Sequence, residues 1–173
     1  MYFYIMIETL LSFALATSIL AISPGPDNIF VLTQSIVNGR TFGLATVIGL
    51  ISGCLVHTTL LAFGVSAIIS ASENLYLGIK IFGSMYLLYL AFKVYKTDMS
   101  MLLSEEVTPK KTITQLFKQG FLMNVLNPKV SIFFLAFFPG FLFSDRLGTV
   151  TQFYILGFIF MFVSLFIFSA IAI

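Results

Sequence analysis

The amino-acid sequence predicts an all-α integral membrane protein. Hydrophobic residues make up 59% of the 173-residue chain and charged residues only 9%, which is more apolar surface than a water-soluble domain of this size can bury. Five stretches are long and apolar enough to cross a bilayer, since a span needs about 20 such residues. They are 3–22, 44–69, 75–95, 121–143 and 150–173. The net charge of +2 does not favour nucleic-acid binding.

The first span, 3–22, carries a single charge, at Glu8. Because Glu8 lies within two turns of the start of this span, we expect it at the level of the lipid headgroups. A role in a proton relay is the alternative for this carboxyl.

The first span is followed by a helix-breaking sequence, Ser23-Pro24-Gly25-Pro26, and then by Asp27 and Asn28. Proline removes a backbone donor and fixes φ, so two prolines around a glycine interrupt a helix. In lipid, the freed backbone groups persist only where they are buried in protein or line a wet cavity. The break therefore predicts a functional lining, with a turn at the membrane surface as the alternative. A second, more polar helix is expected from Pro26 to the helix stop at Asn38-Gly39.

Small residues recur in the next stretch, 41–69, and Gly39 lies two residues before it. We predict close helix packing at these glycines, which are Gly39, Gly43, Gly49 and Gly53. His57, the only histidine, lies on the same helical face and has two interpretations. It is either a neutral histidine that is hydrogen-bonded between helices or part of a proton relay.

The rest of the chain contains one long polar loop and a second break. Residues 96–118 are polar and basic, and Asn127-Pro128-Lys129 interrupts the span that follows. Most cations lie on one side of the predicted topology, and they are Arg40, Lys93, Lys96, Lys110, Lys111 and Lys118. The preference of Lys and Arg for cytoplasmic loops then places residues 93–118 in the cytoplasm and the N-terminus outside.

The two breaks predict an internal repeat. Pro26 and Pro128 lie 102 residues apart, and each is followed by an ionisable residue, Asp27 or Lys129. We therefore divide the chain into a three-span repeat at 1–95, a cytoplasmic basic loop at 96–118, and a second repeat at 119–173 that lacks its last helix. With three spans in each unit, the second unit would be inverted, as in many secondary transporters. The apolar end of the sequence leads us to expect a shortened chain.

Two segments carry a family resemblance: SPGPDNIFVLTQSIVNGRTFGLATVIGLISGCLVH at 23–57 and GFLMNVLNPKVSIFFLAFFP at 120–139. Together they resemble the LysE-type amino-acid exporters, the lysine, homoserine and threonine efflux family. This resemblance implies a bacterial cytoplasmic-membrane exporter of amino acids or related metabolites with about six spans, energised by an ion gradient. The sequence departs from the pattern in lacking the final span and in having Gly140, within Pro139-Gly140-Phe141, where relatives more often have glutamine.

An amino-acid substrate is a zwitterion, so its site must supply partners for both charges. We expect Asp27 to hold the ammonium group and Lys129 the carboxylate, aided by free amides at the helices that begin at Pro26 and Pro128. Neutral hydrogen bonds are expected from Asn28, Asn124 and Asn127. In the empty site, Asp27 and Lys129 are expected to pair directly.

We predict proton antiport through Asp27, Glu8 or His57, and we predict neither a cofactor nor a metal site. The partners expected are the amino-acid substrate and the lipid bilayer, and assembly with further copies of the chain is left open. The alternatives are an exporter of metal or other small ions, an inactive truncated family member, an intramembrane enzyme, and a structural scaffold. An enzyme is disfavoured because His57 has no Ser or Asp partner at helical spacing within its span.

Overall fold

The computed structural model describes residues 2–67, 72–96 and 111–173. Throughout these ranges the regular structure is helical, and no β-strand occurs in them. The all-α prediction is therefore confirmed.

The first three helices follow the predicted breaks. Helix α1 (Tyr2–Ile22) ends before Ser23-Pro24, because a residue that precedes proline is held away from the helical conformation. Helix α2 (Pro26–Asn38) has its proline at the first position, where a missing N–H costs nothing. It ends at Gly39, whose φ of 98° lies in the region that favours glycine. Helix α3 (Arg40–Leu60) then continues through a wider π-helical turn, Leu61–Val65.

Helix α4 (Glu73–Lys96) and helix α5 (Ile113–Val125) follow. A capping box fixes the start of α5: the Gln115 N–H donates to Thr112 Oγ1 at 3.3 Å, and the Thr112 N–H donates to Gln115 Oε1 at 2.8 Å. Helix α5 thus begins within the stretch 96–118. Residues 97–110 of that predicted loop lie outside the described residues.

The second break separates α5 from helix α6 (Pro128–Ile132). A π-helical turn, Phe133–Phe137, and a 3₁₀ turn, Phe138–Phe141, continue this helix, and we call 128–141 the α6 segment. Helix α7 (Thr149–Ala172) is the last element.

Three helical stretches are long and apolar enough to cross a membrane: Phe3–Ile22, Arg40–Val65 and Thr149–Ala172. Helix α5 and the α6 segment form a fourth span if they are counted together, with a bend of 45° between them. These stretches match four of the five predicted spans. The fifth, 75–95, lies in α4, several of whose side chains are outside the described residues.

Helices α3 and α5 pack with their backbones in contact. A Cβ added to Gly49 would collide with the Phe117 carbonyl oxygen, and one added to Gly120 would collide with the Thr46 carbonyl oxygen. A Cβ on Gly53 would lie 2.8 Å from Asn124 Cβ. Small residues are what permit such an approach between membrane helices.

Gly43 and Gly39 differ from one another in role. Gly43 is packed against Ser35 of α2 and Ala172 of α7, with the Ala172 Cβ 3.3 Å from the place that a Cβ on Gly43 would take. At Gly39 no described atom lies within 4 Å of that place. Gly39 therefore provides the positive φ that the α2–α3 junction requires. The prediction that Gly39 takes part in helix packing is corrected.

A cluster of phenylalanines joins α1, the α6 segment and α7. The Phe13 ring of α1 meets the Phe138 ring edge-on at 4.8 Å between centroids, and Phe134 stacks on Phe138 at 4.0 Å. Phe160 of α7 meets Phe134 at 4.9 Å. Such aromatic pairs stabilise a core beyond their buried area, so this cluster fixes the helices that surround the two breaks.

Gln152 anchors the connection between the α6 segment and α7. Its Oε1 accepts from the N–H groups of Phe143 and Ser144 at 2.8 and 3.0 Å. Its Nε2 donates to the carbonyls of Ser144 and Leu147 at 2.7 and 2.8 Å. One buried amide thus satisfies four backbone groups of a loop, which is the requirement for irregular backbone beside a membrane span.

Candidate functional site

A small cavity lies between the two proline breaks. Its volume is about 20 Å³, which is room for about one water molecule. The first break, the second break, α3 and α7 all contribute to its lining. The lining residues are Leu20, Ala21, Gly25, Asp27, Asn28, Cys54, Asn124, Asn127, Lys129, Val130, Phe160, Ser164 and Phe168.

The carboxyl of Asp27 is the acidic group of the cavity. It lies in the first turn of α2, and the residue is only 5% exposed. Its Oδ2 accepts a hydrogen bond from Asn127 Nδ2 at 2.8 Å, which links the two breaks directly. Its Oδ1 is buried and has no hydrogen-bond partner among the described residues. A buried acceptor without a partner costs free energy, so binding of a ligand, a proton or a water molecule at this oxygen would be stabilising.

The ammonium of Lys129 lies at the end of α1. Its Nζ donates to the Leu20 carbonyl at 3.0 Å and to the Ser23 carbonyl at 2.8 Å. Carbonyls in the last turn of a helix lack intrahelical partners and form the negative end of its dipole. A cation is therefore well placed there.

Asp27 and Lys129 line the same cavity, but the structure does not show them as a direct ion pair within the described chain. Each has taken a partner from the opposite break: Asn127 for Asp27, and the α1 carbonyls for Lys129. The direct pairing expected from the sequence is therefore corrected. The two charged side chains are thus each hydrogen-bonded to a neutral group, and both residues line the same cavity.

The two helix starts differ in their free amides. Helix α2 begins after Gly25, which provides no side-chain cap. At the second break, Asn127 Oδ1 accepts from the Lys129 N–H at 3.0 Å, so this amide is already satisfied. The expectation of free amides at both breaks is corrected for the one at Pro128, because Asn127 caps it. Of the two breaks, the one at the start of α2 is therefore the one without a side-chain cap.

The predicted neutral residues take part in fixing the cavity. Asn28 Nδ2 donates to the Ala21 carbonyl at 2.7 Å, across the first break. Asn124 Oδ1 lies 3.7 Å from the Cys54 thiol, which donates to it. These contacts tie the first break to the end of α1, and α5 to α3.

His57 and Glu8 do not line the cavity themselves, although His57 contacts the lining residue Asn124. His57 is buried, and its Nε2 lies 3.0 Å from the carbonyl oxygen of Asn124. This is the hydrogen bond between helices that one of the two interpretations required. Glu8 is exposed on α1. Neither residue is part of the lining formed by the described chain.

Residues of α7 were missed by the sequence analysis. Ser164 is 1% exposed, lines the cavity, and has a hydroxyl with no hydrogen-bond partner among the described residues. Phe160 and Phe168 lie one helical turn to either side of it and also line the cavity. A polar residue inside an otherwise apolar span was the available signal, since such residues face the protein interior.

The family model of the LysE type translocators matches residues 18–173. The chain belongs to this family. This membership confirms the resemblance carried by the two proline-containing segments.

Several curated relatives of this chain are named as membrane proteins. It is 30% identical to an uncharacterized membrane protein of Pseudomonas aeruginosa over 131 residues, 73% of this chain and 61% of the relative. It is 28% identical to an uncharacterized membrane protein of Bacillus subtilis, over 78% of this chain and 68% of the relative. A homoserine/homoserine lactone efflux protein of Salmonella typhimurium is 28% identical, over 84% of this chain and 70% of the relative. No solved structure matches the translocator. The chain thus spans about three fifths to seven tenths of these relatives.

Proposed function

We propose that this protein is a secondary transporter that exports amino acids or related small metabolites across the bacterial cytoplasmic membrane. The observation that supports this most is that Asp27 Oδ1 is buried without a hydrogen-bond partner among the described residues, beside a cavity that Lys129 also lines. Opposite charges held apart around one cavity suit a zwitterion, because each end of such a ligand needs a partner in a low-dielectric site.

The ammonium group of the substrate would bind Asp27 Oδ1, with the Ser164 hydroxyl as a second acceptor. Both oxygens are buried and without described partners, so a bound ammonium would satisfy them together. The hydroxyl would also accommodate a different polar group of the ligand.

The carboxylate of the substrate would bind at the start of α2. Lys129 has three ammonium N–H groups, and two of them donate to Leu20 and Ser23. The third is available to a substrate carboxylate, together with the uncapped amides that follow Gly25. The Lys129 Nζ lies 3.6 Å from the place that a Cβ on Gly25 would take, so cation and helix start are neighbours.

Proton antiport would follow if a proton and the substrate ammonium compete for Asp27 Oδ1. When Asp27 Oδ1 carries a proton it cannot accept from a substrate ammonium, and a bound ammonium excludes the proton. Exchange of one for the other couples export to proton entry. In this scheme Asp27 carries the proton, and His57 holds Asn124 in place.

The cavity must enlarge during transport. About 20 Å³ holds a water molecule but no amino acid. Alternating access about a site between two repeats would provide the enlargement. We therefore also propose that units 1–95 and 119–173 form an inverted repeat. In this arrangement the N-terminus lies outside and residues 93–118 lie in the cytoplasm.

Homoserine is the first substrate to test, because one relative is named for the efflux of homoserine and its lactone. An efflux-deficient host is grown in graded concentrations of homoserine, other amino acids and their toxic analogues, with and without the protein. Protection against one series supports export and identifies the side-chain class. Protection against toxic metal ions instead would favour the ion-exporter alternative, and no protection despite membrane insertion would contradict the proposal.

A further inference from the structure

The Lys129 ammonium occupies a position that resembles a small cation site. It donates to the carbonyls of Leu20 and Ser23 at 3.0 and 2.8 Å, which are ordinary lengths for hydrogen bonds of an ammonium group. Both carbonyls belong to the point where α1 ends and the backbone opens. Broken membrane helices elsewhere present such carbonyls to coupling cations.

Asp27 provides the counter-charge of this position. Its carboxyl lines the same cavity, and its charge interacts with that of Lys129 although the two do not form a contact pair. A buried carboxylate in lipid needs a nearby positive charge, because an isolated charge in low dielectric is strongly disfavoured.

We propose that the first break contains a built-in monovalent-cation site, formed by the Leu20 and Ser23 carbonyls with Asp27 as counter-charge, which the Lys129 side chain fills permanently. The chain thus supplies its own cation. When Lys129 is shortened, the emptied site would take a small primary ammonium ion, and with weaker fit Na⁺ or K⁺. The inference concerns the folding and charge of the break, so it does not depend on which substrate is exported.

The test measures thermal unfolding of purified full-length Lys129→Ala protein in a series of chloride salts at constant ionic strength. The cations are methylammonium, ethylammonium, Na⁺, K⁺ and choline, which is too large to enter. In choline the Tm is expected to be lower than that of the wild type by roughly 5–10 °C, because two charge-assisted hydrogen bonds are lost. Methylammonium or ethylammonium should recover at least half of this loss with a saturable concentration dependence. The wild-type Tm should be the same in every salt.

Two variants serve as controls. Lys80→Ala removes a lysine whose ammonium lies 5.4 Å from the Tyr76 ring centroid and outside the cavity lining, so no cation should change its Tm specifically. Lys129→Met keeps the length of the side chain and blocks the cavity. Its Tm should be lowered without recovery in any salt.

Several outcomes would overturn the site. They are a Tm of Lys129→Ala equal to that of the wild type, equal recovery in choline, or recovery of Lys129→Met as large as that of Lys129→Ala. If Lys129→Ala is obtained folded only when membranes are extracted in a small ammonium salt, the site is supported. If it is not obtained folded in any salt, while Lys80→Ala is, the site is contradicted. An export assay is separate, so failure of the transport proposal leaves these results interpretable.

Discussion

Asp27 uses its two carboxyl oxygens differently. Oδ2 is fixed by Asn127 across the two breaks, whereas Oδ1 faces the cavity without a described partner. Oδ2 therefore joins the two breaks, and Oδ1 is available to a ligand. This division allows a substitution that removes the charge and keeps the fold.

Replacing Asp27 by Asn should reduce export at least about tenfold. The substituted amide oxygen still accepts from Asn127, but the charge that receives an ammonium is lost, which costs about 1.5–3 kcal/mol, where 1.4 kcal/mol is a factor of ten. The measurement is uptake by inverted membrane vesicles, normalised to protein amount. Asp145→Asn, in an exposed loop, should retain wild-type export, and equal export by both variants would refute the role of Asp27.

His57 tests whether a histidine between helices relays protons. If it only holds Asn124 through the 3.0 Å contact with the carbonyl oxygen, then His57→Gln, which can still donate, should keep more than about half of the wild-type export. His57→Leu should lower stability by about 1–3 kcal/mol, because it leaves a buried carbonyl without that donor. Loss of proton coupling in His57→Gln with normal folding would show instead that His57 carries protons.

At the residue scale the sequence predicted that Asp27, Lys129 and the asparagines lie around one site, because ionisable and amide groups beside a helix break are conspicuous, and the structure brings them to one cavity. It could not assign their partners. Whether Lys129 meets a carboxylate or a backbone carbonyl depends on how the end of α1 lies against α6, and no local pattern contains that information. Ser164 was missed because a hydroxyl in a span is a weak signal.

At the scale of the helices, α3 and α5 pack so closely that a single added methyl group would collide with backbone atoms. Glycines from both helices place backbone against backbone, as Gly49 against Phe117 and Gly120 against Thr46 show. The row of small residues on α3 predicted close packing, but it did not identify α5 as the neighbour. The predicted starts and ends of α2 were confirmed because proline and glycine fix them locally.

The substitution Gly49→Ala should destabilise the protein by about 1–3 kcal/mol through overpacking, since its Cβ would overlap a backbone oxygen that cannot rotate away. Gly64→Ala is the matched control, because no described atom lies within 4 Å of its Cβ position. Thermal unfolding in detergent compares the two. Equal Tm values would mean that α3 and α5 are not in backbone contact.

Gln152 should determine the order of the loop between the α6 segment and α7. Gln152→Glu keeps the acceptor for Phe143 and Ser144 but loses both donors, while Gln152→Leu loses all four hydrogen bonds. Amide exchange of residues 142–148 should therefore accelerate in the order wild type, Glu variant, Leu variant. At about 0.5–1.5 kcal/mol for each hydrogen bond, the Leu variant should exchange at least tenfold faster. Unchanged protection in both variants would contradict this anchoring role.

For the whole molecule, the order of elements in the second half follows that of the first. Each half has a helix, a proline break, a helix that begins at proline, and a long apolar helix, with Pro26 and Pro128 in matching places. This order supports the inverted repeat as a proposal. The sequence could suggest it from spacing alone, but the direction in which each half crosses the membrane requires measurement.

Single cysteines should resolve the orientation. In a Cys54→Ala background, Thr114→Cys at the start of α5 should react with an impermeant maleimide only from the cytoplasmic side. Asp145→Cys, after the α6 segment, should react only from outside, because one bent span separates the two positions. Both positions are exposed. Labelling of both from the same face would contradict the proposed topology.

The small size of the cavity has a consequence for the cell. Among the described residues the cavity has room for about one water molecule and is bounded on α7 by Phe160 and Phe168, so in the proposed transport cycle this conformation would offer protons and salts no continuous wetted route through it. A bacterium that keeps this conformation at rest would retain its electrochemical gradient, and leakage would be limited to the brief intervals in which the two broken helices separate.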